Sequence, residues 1–367
     1  MDPRVEKLAK VLIHYSLKLK KGQIFRISGG IASMPLIKAA YKEAVKVGAH
    51  PYVKIRIEDN EETFYKYASD EQLKFVSPMD KYELEKMDAF LTIWASENTR
   101  FLNGVDHKRQ AMNQRARKSL GERMFKLIYD KKLNWVGTQF PTLADAQEAD
   151  MSLSDYEDFV YKAGHISGSG DSVKHWKKVH AEQERLIKKL NKFDLIHVQS
   201  ADTDLKLRVK GRKWINCAGT ENFPDGEVFT SPLDKSANGY IRYSFPAIYG
   251  GREVDDVRLE FKNGKVVKAT AGKNQEFLNT MLDMDKGARY IGEFAIGTNY
   301  EIKQFSKNIL FDEKIGGTCH LAVGAAFPES GGKNKSSIHW DMICDLKKNS
   351  QITADGKVIY KNGKFTI

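Results

Sequence analysis

Gln23–Ile57, QIFRISGGIASMPLIKAAYKEAVKVGAHPYVKIRI, decides the fold of the first half of the chain. Its opening run QIFRIS is short, β-rich and ends at Gly29-Gly30. Met34–Val47 then repeats apolar residues at helical spacing and stops at Gly48, and PYVKIRI is the next strand. A strand, a helix of that length and a second strand make a parallel βαβ unit rather than a hairpin. Working outward, Arg4–Leu17 carries Val5, Leu8, Leu12 and Ile13 on one helical stripe, with Pro3 just before its first turn. Asp88–Trp94 and Leu133–Gly137 supply further strands, and a helix over Val173–Leu190 closes this half.

After Phe193 the pattern changes. Asp194–Gln199 and Asp204–Val209 are expected strands, with Lys210-Gly211 as a hairpin turn. Leu259–Ala269 contains Asn263-Gly264, a strong two-residue hairpin signal, and Asp355-Gly356 and Asn362-Gly363 repeat it near the C-terminus. One helix, Asn274–Met284, interrupts the hairpins. The expected architecture is therefore an α/β N-terminal domain with a parallel sheet, residues 1–193, followed by an antiparallel-rich α+β C-terminal domain, residues 194–367.

A length of 367 residues suits two such domains, and 41% apolar with 29% charged residues excludes a disordered or collagen-like chain. Cys217, Cys319 and Cys344 are odd in number and lack a CxxC pair, which excludes a zinc-finger framework and suggests a reducing compartment. Lysines at 7, 10, 18, 20 and 21 leave no uncharged signal core, and no run nears the ~18 apolar residues of a membrane helix. The expectation is a cytoplasmic protein with no membrane partner.

The net charge of +11 raises nucleic acid as a partner. The excess is spread, however, with 34 Lys+Arg against 27 Asp+Glu in residues 1–200 and 25 against 21 thereafter. The densest basic runs, His107–Lys118 and Lys174–Lys189, read as solvated helix faces, so nucleic acid is not expected. Gly164–Asp171 precedes the second run but lacks the Walker spacing, and it reads as a loop with Asp171 or Ser172 as helix N-cap.

Only two of the nine histidines lie beyond residue 197, His320 and His339, both inside FDEKIGGTCHLAVGAAFPESGGKNKSSIHWDMICD (311–345). Ile338-His339-Trp340-Asp341-Met342 alternates, so a strand here turns His339 and Asp341 to one face and the three apolar residues to the other. An imidazole and a carboxylate at that spacing can reach one metal ion, although a strand with a solvated polar face shows the same pattern. Thr318–Val323 is a second strand, on which Cys319 and His320 face opposite ways. That argues against a Cys–His nucleophile pair and places Cys319 in packing.

Two acidic positions stand out. Glu227 follows the turn-rich NFPDG, and Glu293 is the only charge in the apolar run IGEFAIG. A carboxylate there is either an exposed turn residue or a buried one that needs a partner or a metal. With Asp312-Glu313 beside them, these side chains could hold a pair of divalent cations ~3.5–4 Å apart, with water as nucleophile.

In this order, NFPDGEVFTSP (222–232), GEFAIGTN (292–299), FDEKIGGTCHLAVGAAFPE (311–329) and HWD (339–341) resemble the M29 family of metallo-aminopeptidases, of the aminopeptidase T and aminopeptidase S/PepS type. The resemblance implies an α/β N-terminal domain, a metal-binding catalytic C-terminal domain and a homodimer. It also implies two divalent ions (zinc, cobalt or magnesium) and peptide substrates with a free N-terminus. Carried over by motif, Glu227 is a ligand of one metal and Glu293 the bridging, catalytic carboxylate. Glu313, His320, His339 and Asp341 complete the set.

The Gly316-Gly317 stretch is longer than in relatives, and the His320–His339 interval is shorter than in bacterial members. Family enzymes also carry a catalytic tyrosine where this chain has Phe327. A phenol can donate to a developing oxyanion and a phenyl ring cannot, a loss typically worth ~10²–10³ in rate. The general base is unassigned among Glu221, Asp225, Asp312 and Glu329. A second reading is a single-iron ring-cleaving dioxygenase of the M29-related fold, in which His320, His339 and Asp341 form the facial set. A non-enzymatic binder using the basic surface is a third.

Overall fold

The computed structural model describes residues 2–367. Contacts divide the chain into two compact units, one reaching to Val173 and reclaiming Gly219–Phe223, the other holding Lys174–Ala218 and Pro224–Ile367.

The first unit is built on a wholly parallel sheet in the order His50–Arg56, Ile24–Gly30, Ala89–Trp94, Asn134–Gln139, Asn222–Phe223. Phe25, Ile27, Ala89, Leu91 and Val136 are among its fully buried positions. The helix Met34–Val47 begins with Pro35 in its first turn and ends at Gly48, whose φ of 84° only glycine adopts freely. It buries Leu36, Ile37, Ala40 and Ala44. The expected N-terminal helix is Pro3–Val11, continued by a π-helical turn, Leu12–Ser16, so its apolar stripe stays inward throughout.

The second unit is antiparallel. An eight-stranded sheet runs Lys265–Thr270, Arg258–Lys262, Asn238–Arg242, Thr203–Arg208, Leu195–Ser200, Gln351–Ala354, Lys357–Lys361, Lys364–Phe365. A five-stranded sheet runs His339–Asp345, Thr318–Gly324, Ile291–Gly297, Glu227–Thr230, Ile215–Cys217. The turns Asn263-Gly264, Asp355-Gly356 and Asn362-Gly363 have positive φ at both residues, as tight hairpin turns require. One continuous apolar core takes Ile196, Val198, Leu205 and Leu259 from the larger sheet. From the smaller it takes Val228, Phe294, Ile296, Leu321, Trp340 and Met342. The helix Ser172–Leu190 adds Ile187 and Leu190.

One expected feature is corrected. Lys210-Gly211 is not a hairpin turn, because the strands on either side, Thr203–Arg208 and Ile215–Cys217, lie in different sheets. The hairpin falls earlier, between Leu195–Ser200 and Thr203–Arg208. Gly211, at φ 75°, marks a change of chain direction, and the pairing of the next segment is decided elsewhere.

Candidate metal centre

The five-stranded sheet has two chemically opposite faces. Residues of its central strands alternate between the apolar core and a face of ligand groups and small side chains. On the Thr318–Gly324 strand, Cys319, Leu321 and Val323 enter the core, while His320 and Ala322 face the other way. On His339–Asp345, Trp340, Met342 and Cys344 enter the core, leaving His339 and Asp341 opposite.

On Ile291–Gly297 the alternation is broken once. Ile291 pairs with Val323 and Glu293 with Ala322, so Gly292 is an extra, bulged residue. Without it, Ile291 and Glu293, two apart, would share a face. With it, Ile291 packs in the core and Glu293 turns to the ligand face. A Cβ on Gly292 would lie 2.1 Å from the Ala325 carbonyl oxygen, so the bulge requires glycine. Glu227 opens its strand directly after Gly226, whose φ is 125°.

All six expected ligands are brought together. Glu293 Oε2 lies 3.2 Å from His339 Nε2, and its Oε1 lies 3.8 Å from His320 Nε2. Asp341 repeats this span, with Oδ2 3.5 Å from His339 Nε2 and Oδ1 3.9 Å from His320 Nε2. Glu227 Oε2 is 3.5 Å from His320 Nε2. Glu313, just past the short helix Ile309–Asp312, lies within ligand distance of His320 and Asp341. Glu227 Oε2, Asp341 Oδ1 and both ring nitrogens of His320 are buried without a hydrogen-bond partner. Orphaned acceptors and an imidazole converging in this way fit a bound cation, which would satisfy them. His339 is already oriented, since its Nδ1 lies 2.8 Å from the Ala325 carbonyl and donates there, leaving Nε2 toward the carboxylates.

The electrostatics follow from burial and crowding. Burial alone would lower the His339 pKa, yet Asp341 and Glu293 outweigh it and push it up to about 12. His320 is likewise disfavoured by burial but carried up to about 9 by Glu293, Glu227 and Asp341. Burial opposes ionisation of Asp341, and the two imidazoles, His339 first, still hold it down at about 2. Without metal, both imidazoles are therefore cationic.

The remaining expected residues separate. Phe327 borders the centre, its ring 4.9 Å from that of His339 and 5.2 Å from that of Phe229. Asp225 lies beside the cluster, with Oδ1 3.6 Å from Lys314 Nζ. Asp312 accepts from the amide and hydroxyl of Ser306 at 2.7 and 2.8 Å, which ties down a loop. Glu329 is exposed, and Glu221 belongs to the first unit. Cys319 packs in the core opposite Cys344, as its strand position implies.

Two residues tied to Glu227 lack a motif. Lys314 is 1% exposed, with its ammonium 2.6 Å from Glu227 Oε1 and 2.5 Å from Glu313 Oε1. Burial would lower its pKa, but Glu227, Glu313 and Asp225 raise it well above the ordinary lysine value. The one available signal is a lysine inside the otherwise apolar or acidic run ILFDEKIGG. Gln183, buried on the helix Ser172–Leu190, places Nε2 2.6 Å from the Glu227 carbonyl and 3.1 Å from that of Cys217. It thereby fixes the edge where Glu227 begins.

A model of the family described as thermophilic metalloprotease (M29) matches residues 1–365. Aminopeptidase 2 of Geobacillus stearothermophilus is 28% identical over 99% of this chain and 98% of its own. Among solved structures, wild-type AmpT from Thermus thermophilus superposes with a TM-score of 0.87 at 23% identity, covering 99% of both chains. The 2,5-dihydroxypyridine dioxygenase of Pseudomonas putida KT2440 superposes at 0.59 with 13% identity, over 99% of this chain and 96% of that one. At those identities the two structures establish a shared fold.

Proposed function

The chain belongs to the M29 family of thermophilic metalloproteases, and on that premise we propose a metal-dependent aminopeptidase that removes residues from the free N-termini of peptides at a centre of two divalent ions. The observation that carries this reading is the span of Glu293, whose two oxygens address two different imidazoles. A carboxylate so placed is suited to bridging two ions. Charge supports the same number. Asp225, Glu227, Glu293, Glu313 and Asp341 are five carboxylates against the single ammonium of Lys314, and two divalent ions balance the remainder.

Glu227, Glu293, Glu313, His320, His339 and Asp341 would hold the ions. When bound, the ions supply Lewis-acid polarisation of the scissile carbonyl and a water activated near neutral pH. The chain's own residues prepare that chemistry. The Ala325 carbonyl fixes the His339 tautomer, and burial keeps the surrounding dielectric low, so charges act on one another strongly. Phe327 offers no donor where the resemblance implies a phenol, so this side chain cannot hydrogen-bond to a developing oxyanion. Zinc and cobalt suit this mixed nitrogen and oxygen set, whereas magnesium prefers oxygen ligands, so the two imidazoles favour the first two. A homodimer belongs to the same reading because the resemblance implies one, and a cytoplasmic location fits three cysteines outside any disulfide.

Phe327 also favours the alternative, a single-iron ring-cleaving dioxygenase using His320, His339 and Asp341. The burial of Glu227 beside His320 and of Glu293 between the two imidazoles weighs against it, since a facial triad leaves those carboxylates without a role. The test is hydrolysis of leucyl and alanyl fluorogenic amides by chelated and then metal-repleted protein, each beside its N-acetylated counterpart. Metal-restored cleavage of the free amines alone supports the aminopeptidase. Metal-loaded protein that leaves both forms intact overturns it.

A further inference from the structure

The side of Glu227 turned away from His320 faces a second cluster. Cys217, Asp225 and Glu227 each offer a ligand atom within 4.8 Å of the others, a donor set of the kind that holds a cation. Lys314 reaches into it. Its Nζ lies 2.6 Å from Glu227 Oε1 and 3.6 Å from Asp225 Oδ1, and it also meets Glu313 Oε1. The backbone on both sides is pinned by one residue. The Asn299 amide donates to the Lys314 carbonyl at 3.0 Å, and the Asn299 side chain donates to the Asp225 carbonyl at 2.8 Å. Lys314 and Asp225 are therefore set against each other by the fold.

We propose that the Lys314 ammonium is a built-in cation holding the Cys217–Asp225–Glu227 pocket, so that divalent ions are kept out of it and Glu227 is turned to offer Oε2 to the neighbouring centre. The division of labour is visible within Glu227 itself. Oε1 is engaged by Lys314, while Oε2, buried and without a hydrogen-bond partner, points at His320. A buried ammonium is tolerated only when closely paired, and here three carboxylates surround it. A fixed monovalent charge limits how many ions the acidic cluster can collect. The direction of Glu227 has functional meaning only on the metal-centre reading above, whereas exclusion from the pocket stands apart from it.

Cobalt(II) is the probe. In wild-type protein saturated with cobalt, anomalous diffraction should show no ion between Cys217, Asp225 and Glu227. Lys314→Met, which keeps the stem and removes the charge, should bind one more cobalt per chain than wild type. A thiolate-to-cobalt absorption band in the near-ultraviolet should accompany it and disappear in Cys217→Ser/Lys314→Met. Adding Asp225→Asn to Lys314→Met should return the count to the wild-type value. An ion already in this pocket in wild type overturns the proposal, and that measurement needs no variant to fold. An unchanged count and spectrum in folded Lys314→Met overturns it as well. A wild-type count other than two, with the extra ion still gained on losing Lys314, refutes the two-ion reading and leaves this one standing.

Discussion

Glu293 and Asp341 occupy one row of the five-stranded sheet, each directly opposite Ala322 on the strand between them. The alanine matters as much as the acids. Its methyl group is the only side chain between two carboxylates that both reach the same two imidazoles. Ala295 and Gly297 keep the neighbouring positions on that face equally small, while the opposite face carries Phe294, Leu321 and Trp340. The sheet thus spends its bulk on the core and leaves room for chemistry on the other side.

Glu293→Gln tests the centre of that row. The amide keeps the shape but removes the charge that draws cations between the imidazoles. Metal affinity should fall by more than the ~10–100-fold typical of residues that only support a ligand, and metal-dependent hydrolysis should disappear. Circular dichroism should remain that of the wild type. Metal content and turnover at wild-type levels in this variant would refute the site.

Metal uptake should release protons. With His320 at about 9 and His339 at about 12, both imidazoles are protonated at neutral pH in the chelated protein and must give up those protons to become ligands. Affinity should therefore rise with pH, by ~10-fold per unit for each proton released. The sign for folding is the reverse. Both folded-state values lie above the usual histidine value of ~6.5. The stabilisation they bring is complete below that pH, fading as pH climbs through about 9 and then about 12. Calorimetric titration of cobalt into chelated protein, in buffers of different ionisation heat, counts the protons. A heat independent of buffer would contradict this charge assignment.

How far the site could be read from the sequence depends on how local each signal is. The alternation of Ile338-His339-Trp340-Asp341-Met342 is a period-2 pattern that survives into the structure, and Glu293 announces itself as one charge in an apolar run. The bulge at Gly292 is invisible, because a glycine there reads equally as a strand boundary. Lys314 beside Glu313 looks like an ordinary surface pair, and only tertiary packing buries it. Gln183 supports Glu227 across a sequence separation of 44, with nothing in its own helix to mark it. The return of Asn222–Phe223 to the parallel sheet is missed for the same reason, since a two-residue strand carries no periodicity.

Gln183→Leu should weaken both the fold and the centre. Removing the amide leaves the Glu227 and Cys217 carbonyls short of a buried donor, a cost of ~1–3 kcal/mol in denaturant unfolding of the chelated protein. Metal affinity should drop ~10–100-fold, because the strand that begins at Glu227 loses its anchor. Lost stability with unchanged metal affinity would make Gln183 a structural residue alone.

Phe327→Tyr is the most direct test of what this centre lacks. The ring already packs against His339 and Phe229, so a hydroxyl added at its tip changes the chemistry at the rim more than the packing. If oxyanion stabilisation is the deficit, kcat for a leucyl amide should rise by up to ~10²–10³, with metal content and KM little changed. A lone binding effect would instead move KM and leave kcat alone. An unchanged kcat in a variant with full metal content would show that another donor already serves the oxyanion. The search would then turn to the loop carrying Ala325 and Ala326, whose amides donate to the Ile338 and Asn334 carbonyls at 2.7 and 3.0 Å and would have to be released for that role.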